Sequence, residues 1–194
     1  MKVLDLCCGE GYAAIGYHLI FKTDDITGID TKDMSSSYPF KFVQGDAFAL
    51  DYEYLAQFDF IHISPPCQAY SKVTPNEHRS RHKRLIPNAL RLGYASGKPF
   101  VVENVPGSTI DLRPTSRLVT GTKVRYFHTS FPVPAVNFTG IDASLLSKKP
   151  KHEMLMNWLI PHRFTQLLTV RGRRQGIPPI MTAYIGSCFL CQQQ

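Results

Sequence analysis

Apolar positions in this chain fall in short dense runs separated by polar turns, the spacing of buried strands rather than of long helical stripes. Five strands are expected: Val3 to Cys7, Ile26 to Asp30, Phe40 to Gln44, Phe58 to Ser64 and Phe100 to Asn104. The first, fourth and fifth are dense in Val, Ile, Leu and Phe, as in a parallel sheet covered on both faces. Ala13-Ala14-Ile15-Gly16-Tyr17-His18-Leu19-Ile20 predicts a helix between the first two strands. A second helix is expected from Leu85 to Tyr94, ahead of Gly97, with Pro87 obscuring its start. Strands alternating with helices argue for an open, doubly wound, mostly parallel α/β sheet. Beyond Asn104 the pattern loosens. Val124 to His128 is a candidate strand, Pro132 to Arg174 is basic and interrupted by prolines, and Ile177 to Cys191 predicts a helix with proline in its first turn.

Composition narrows the class. The 194 residues suffice for one domain with a full core, and 43% hydrophobic content is ordinary for a globular chain. No apolar run approaches the roughly 20 residues of a membrane span. The chain enters its first strand at once, so no signal peptide is expected. Five cysteines, an odd number with two adjacent, do not form a disulfide framework and point to a reducing cytoplasm. The net charge of +7 gathers at Arg79 to Arg84, Lys148 to Lys151 and Arg171 to Arg174. Solvated loops and phosphate contacts explain any single cluster equally well.

The chemistry sits at strand ends. Ser64-Pro65-Pro66-Cys67-Gln68 closes the fourth strand, and a cysteine on a stiff Pro-Pro turn is exposed and rigidly aimed. Free cysteine is commonly buried and structural, but the neighbouring Gln68, Tyr70 and Ser71 argue against burial here. Glu103-Asn104-Val105 closes the fifth strand, 36 residues beyond Cys67. A thiol beside a carboxyl acid in one cleft suggests covalent catalysis. Asp5-Leu6-Cys7-Cys8-Gly9-Glu10-Gly11 joins the first strand to the first helix, the arrangement by which backbone approaches a nucleotide-like ligand.

These motifs, in this order, resemble the cytosine-5 DNA methyltransferase family, whose nucleophile motif reads Pro-Cys-Gln and whose acid motif reads Glu-Asn-Val. The resemblance runs from Lys2 to about Pro132 and resumes near Gln175-Gly176-Ile177-Pro178-Pro179. It implies a Rossmann-like, S-adenosylmethionine-dependent methyltransferase domain over residues 1–194. A short basic segment, 132–175, stands where the family carries a target-recognition domain. Cys67 is then the nucleophile that adds to carbon 6 of a flipped-out cytosine, and Glu103 holds N3. Lys123-Val124-Arg125 resembles the family's basic motif, with Arg125 the preferred partner of the cytosine carbonyl and an ordinary charged edge strand as the alternative.

The same resemblance implies a cofactor site at Asp5, Cys7, Gly9, Gly11, Tyr12, Asp30, Thr31, Asp46, Ala47, Pro66 and Ser187. Asp30 would bind the ribose hydroxyls and Asp46 the adenine amino group, against the commoner role of Asp as a turn or helix cap. Cys7 stands where the family usually has Phe, and Ser187, in Tyr184-Ile185-Gly186-Ser187, where it usually has Asn, so a modified methyl donor stays open. Duplex DNA is the expected partner, through Gln68, Ser71, Arg79, Arg81, Lys83, Arg84, Lys123 and Arg125. The reduced segment implies a very short target, readout through residues 67–84, or a partner protein that supplies recognition. The compact layout resembles phage-borne members. RNA methylation, as in the tRNA-modifying branch, and a non-catalytic nucleic-acid-binding relic are the alternatives. No metal is expected, because Cys188 and Cys191 lack a second pair.

Overall fold

The computed structural model of the chain describes residues 1–121, 123–138, 162–167, 169, 172 and 175–193. Its strands β1 (Val3–Leu6), β2 (Ile26–Asp30), β3 (Lys41–Gln44), β4 (Phe60–Ile63), β5 (Phe100–Asn104), β6 (Ser116–Thr120), β7 (Lys123–Thr129) and β8 (Val136–Asn137) form one sheet. The strand order is β3-β2-β1-β4-β5-β7-β6-β8. The pairs from β3 through β5 are parallel. β7 runs antiparallel to both β5 and β6, and β8 is parallel to β6. The architecture is therefore mixed α/β with a large, mostly parallel sheet.

β1, β4 and β5 are buried along their whole length, which is why apolar residues stand on both faces of each strand rather than alternating, with Asp5, His62, Glu103 and Asn104 as the buried polar exceptions. On one face lie α1 (Tyr12–Phe21) and the C-terminal α7 (Pro179–Leu190), which share a core with Val3, Ile26, Phe60, Val101 and Phe127. On the other, α2 (Tyr52–Ala56) and α4 (Ile86–Ala95) cover Leu4, Leu6, Ile61, Ile63 and Val102. Three short helices complete the described set: α3 (Asn76–Arg79), α5 (Thr109–Leu112) and α6 (His162–Thr165).

α1 and α7 touch closely. A β-carbon at Gly16 would collide with the Thr182 hydroxyl and the Pro179 carbonyl. Thr182 Oγ1 donates to the Ala13 carbonyl at 2.9 Å. Pro179 opens α7 at its first position, where its missing N–H costs nothing.

Three expectations need amendment. β1 stops at Leu6 because Cys7 adopts a left-handed conformation, φ 57. The candidate strand over 124–128 is longer, Lys123–Thr129, and pairs with β6, which the apolar pattern did not reveal. The fourth strand begins at Phe60 rather than Phe58. The clusters Lys148 to Lys151 and Arg171, Arg173 and Arg174 lie outside the described residues. Among the described residues no helix is long and apolar enough to cross a membrane.

Candidate active site

The site grows from the carboxyl ends of β1, β4 and β5, which are neighbours in the sheet. Asp5 pairs across strands with His62, and His62 with Val101. The two-residue period of a strand then puts Asp5, His62 and Glu103 on one face. The chain leaves β4 through Ser64, whose N–H donates to the Leu6 carbonyl at 3.0 Å. The next turn carries Cys67. Its carbonyl accepts from the N–H groups of Tyr70 (2.9 Å) and Ser71 (2.8 Å), so residues 67–71 form one compact turn. Asn104 Nδ2 donates to the Pro65 carbonyl at 2.8 Å, in a buried contact that ties this turn to the end of β5.

Cys67 is half-buried rather than exposed, and Tyr70, expected to argue against burial, is itself buried because its ring packs into the core beneath the turn. Burial and the nearby Glu103 carboxylate push its thiol up, and Arg125 opposes them. Glu103 is buried, and burial raises its carboxyl from 4.5 to about 7 against the pull of Arg125 and Lys123. Arg125 Nε stands 2.8 Å from Glu103 Oε1, so the two side chains form a largely buried ion pair.

The basic strand lies beside Glu103. Lys123 and Arg125 are two apart on β7 and both act on Glu103. Burial, then the Arg125 charge, lower Lys123 to about 8. Lys123 Nζ donates to the Gly176 carbonyl at 2.8 Å, and Arg125 donates to the Gln175 carbonyl at 3.3 Å. Both cations thereby anchor the segment that enters α7.

A second buried polar chain runs beneath the cleft. Tyr17 OH lies 2.9 Å from His62 Nδ1, and His62 Nε2 lies 2.7 Å from Ser64 Oγ. Burial raises Tyr17 well above its ordinary value, so it keeps its proton. The neutral ring joins the two hydroxyls in either tautomer, donating from one nitrogen and accepting at the other. Burial lowers His62 to about 3, and the ring is neutral at physiological pH.

At the glycine turn, Gly9 and Gly11 take φ of 50 and 80. A β-carbon at Gly11 would lie 2.6 Å from the Pro39 ring and 3.0 Å from the Tyr38 ring. Tyr38 is buried and donates to Asp5 Oδ2 at 3.2 Å, while Asp5 Oδ1 has no hydrogen-bond partner among the described residues. Burial raises Asp5 well above the usual carboxylate range. Asp30 accepts from the N–H of Gly9 and of Lys32, each at 3.0 Å, which fixes the turn against the end of β2. The glycine turn and the orphaned Asp5 oxygen fit a polar, nucleoside-like ligand. Tyr38 escaped the sequence reading because it follows Ser35-Ser36-Ser37, a stretch that reads as a plain loop.

The remaining expected residues are placed as follows. Cys7 flanks the turn, its thiol pushed up to about 12 by burial and by Asp30, Asp5 and Asp46. Tyr12 is buried, its ring against Gly176 and its hydroxyl 3.5 Å from the Thr169 carbonyl. Asp46 caps the turn Ala47–Ala49 through Phe48 N–H, the capping role that was the alternative for this residue. Ala47 is buried, Thr31 is exposed, and the Thr31 carbonyl accepts from Gln44. Pro66 and Gln68 are exposed beside Cys67. Ser187 lies inside α7 and donates to the Tyr184 carbonyl of its own helix at 2.7 Å.

The basic run is not uniform. Arg79 donates to the carbonyls of Ser71 and Thr74, each at 3.0 Å, and so buttresses the turn after Cys67. Ser71 Oγ accepts from Val73 N–H. Arg84 is bound to Asp111. Arg81 and Lys83 are exposed with no partner among the described residues.

Comparison with known proteins gives one family match: the model for C-5 cytosine-specific DNA methylase covers residues 1–110. That span holds the Cys67 turn and Glu103 and stops short of Arg125. No curated protein matches the chain. Among solved structures, the Entamoeba histolytica methyltransferase EhMeth is similar at 15% identity and a TM-score of 0.44, over 66% of this chain and 52% of that one. A putative DNA modification methyltransferase encoded within a prophage, from E. coli, is similar at 18% identity and a TM-score of 0.43, over 66% and 45%. The S. pombe Dnmt2 methyltransferase is similar at 15% identity and a TM-score of 0.47, over 66% and 48%. The chain spans about half the length of these structures.

Proposed function

The chain belongs to the C-5 cytosine-specific DNA methylase family, and on that premise we propose that it methylates carbon 5 of a flipped-out cytosine in DNA, with S-adenosylmethionine as donor. One observation carries the proposal. Glu103 is a buried carboxyl raised to about 7 by its burial, paired with Arg125, on the strand tied to the Cys67 turn.

Carbon 5 of cytosine is a poor nucleophile. Cys67 thiolate adds to carbon 6, forming a sulfur–carbon bond and moving the ring's π electrons towards carbon 5. Protonated Glu103 donates to N3 and draws off the charge that this addition creates. Its proton also helps the thiol, because the negative charge that raises Cys67 is then gone. Arg125 and Lys123 supply positive charge on the same side of the ring. S-adenosylmethionine, when bound, supplies an electrophilic methyl carbon. Asp5, the Gly9–Gly11 backbone and Asp30 would hold it, with Asp46 and Pro66 at the rim. A solvent base then takes the carbon 5 proton, the 5,6 double bond re-forms as the sulfur–carbon bond breaks and Cys67 leaves as thiolate, and N3 returns its proton to Glu103.

The exposed Arg81 and Lys83 would contact DNA phosphate. The five free cysteines suit a reducing cytoplasm. The test is a covalent trap: duplex DNA containing 5-fluorocytosine, offered with S-adenosylmethionine, should yield a protein–DNA adduct that Cys67→Ala does not form. An adduct with the matching RNA alone would move the function to RNA. No adduct with either would leave the non-catalytic alternative.

A further inference from the structure

We infer that Asp111 is a positioning residue for the nucleophile, pinning both ends of the excursion 71–83 that follows Cys67. The inference rests on the methyl-transfer function proposed above. Three donors converge on this one carboxylate. Tyr70 OH donates to Oδ2 at 2.7 Å. Arg84 donates through Nε to Oδ2 at 2.8 Å and through its terminal nitrogen to Oδ1 at 2.7 Å. Tyr70 stands immediately before the excursion and Arg84 immediately after it. The Arg84 guanidinium also lies 5.7 Å from the centre of the Tyr70 ring, which closes the triangle. The Arg84 bonds, joined by Tyr70, hold Asp111 below the usual carboxylate range, so it stays ionised.

The consequence reaches Cys67 through the backbone. Tyr70 N–H donates to the Cys67 carbonyl, so a shift of Tyr70 drags the nucleophile's turn with it. The Tyr70 carbonyl sits where a β-carbon at Gly107 would be, which seats the turn on the segment after β5. Upstream, the same segment holds Pro65 through Asn104. Cys67 therefore hangs between two anchors, Asn104 and Asp111, both on the stretch of chain that begins at Glu103. The nucleophile and its acid are set against each other by one piece of backbone.

Arg84 takes on a different role from its neighbours. Its planar fork is matched bidentately to a carboxylate, the geometry in which arginine is least exchangeable. Asp111 is mostly sheltered, with a side chain 14% exposed against 59% for Arg84. Arg84 closes the base of the excursion while Arg81 and Lys83 project from it.

The experiment compares full-length wild type, Asp111→Asn, Tyr70→Phe and Arg84→Gln. Melting curves establish that each variant folds. Three quantities are measured: the adduct rate at saturating 5-fluorocytosine duplex and S-adenosylmethionine, the salt dependence of DNA affinity, and the rate of trypsin cleavage within 72–84 without ligand. Asp111→Asn should slow the saturated adduct rate by about tenfold or more, as a small misplacement of a reacting group does. Its cleavage rate should rise and its salt slope should not move. Tyr70→Phe, which keeps the ring and loses one bond, should fall between Asp111→Asn and wild type. An Asp111→Asn protein with the wild-type adduct rate and cleavage rate overturns the inference. So does an Arg84→Gln protein whose salt slope drops by about one unit at an unchanged saturated rate, since Arg84 is then a phosphate ligand. Failure of the wild type to form any adduct sinks the methyl-transfer function instead, and the cleavage rates still decide the pinning.

Discussion

Asn104 reaches from the end of β5 to the carbonyl of Pro65, 2.8 Å away, and so fastens the strand that carries Glu103 to the turn that carries Cys67. Asn104 Oδ1 also accepts from Val105 N–H at 3.0 Å, which leaves the amide no freedom to flip. Two motifs 36 residues apart in sequence share a hydrogen bond in space.

Asn104→Leu should strand the buried Pro65 carbonyl. Urea unfolding should show a loss of about 1–3 kcal/mol, the cost of an unsatisfied buried group. The Cys67 alkylation rate should change in the same variant. Unaltered stability and reactivity together would show that the contact does not hold the turn.

Glu103→Gln should separate the two roles of this carboxyl. Methyl transfer should fall by about 10²–10⁴ because no proton is left to donate. The Cys67 thiol should ionise at lower pH, since the carboxylate that raises it is gone. Iodoacetamide alkylation against pH reads the second effect directly. On the proposed mechanism, transfer in the wild type requires Glu103 protonated, which favours pH below about 7, and Cys67 ionised, which favours higher pH. The rate should therefore pass through a maximum. An alkylation curve that does not shift in Glu103→Gln would place Cys67 beyond the reach of this charge.

His62 makes the fold sensitive to acid. Its folded value, about 3, lies below the unfolded 6.5, so its contribution is complete above pH 6.5 and is lost as pH falls towards 3. Over that window stability should fall by about 1.4 kcal/mol per pH unit from this residue. His62→Gln can still donate and accept, and its stability should decline less steeply between pH 6.5 and 4. Equal slopes for the two proteins in urea titrations would contradict the buried neutral ring.

Asp30→Ala should weaken S-adenosylmethionine binding by about 1.5–3 kcal/mol by calorimetry, the scale of a hydrogen bond to a charged group. The same change frees Gly9 N–H, so hydrogen exchange at residues 8–11 should quicken even without ligand. Unchanged affinity would remove Asp30 from the cofactor site.

The basic run should divide by structure rather than by charge. Arg81→Gln and Lys83→Gln should each lower the salt slope of DNA binding by about one unit with little effect on the bound rate. Arg79→Gln should instead loosen the turn it buttresses, slowing adduct formation at saturating DNA. Identical behaviour of all three variants would mean that the carbonyl contacts of Arg79 are incidental.

The sequence made the parallel core legible because β1, β4 and β5 are buried on both faces, and dense apolar runs with motifs at their ends are hard to misread, even with Asp5 and His62 inside two of them. It concealed β6, since Ser116-Arg117-Leu118-Val119-Thr120 alternates poorly and gains its identity only by pairing with β7. It made the arginines of 79–84 look alike. Arg84 is set apart by Asp111, 27 residues away, a distance that no local pattern carries. Tyr38 was hidden for a similar reason. Only the approach of its ring to Gly28 and Gly11, on separate elements, shows that it caps the glycine turn.

The close seating of α1 against α7 fixes an order of events during synthesis. The ribosome releases the first helix well before the surface it needs, because Thr182, Gly186 and their neighbours complete the face that Ala13, Gly16 and Tyr17 bury. Until α7 emerges, that face of the nascent sheet stands open, dense in Phe and Tyr and exposed to any apolar surface nearby. A chain released before residue 179 would keep Cys67 and Glu103 and yet lack the helix that covers the sheet beneath them. Premature termination should therefore yield an aggregating fragment rather than a weakened enzyme.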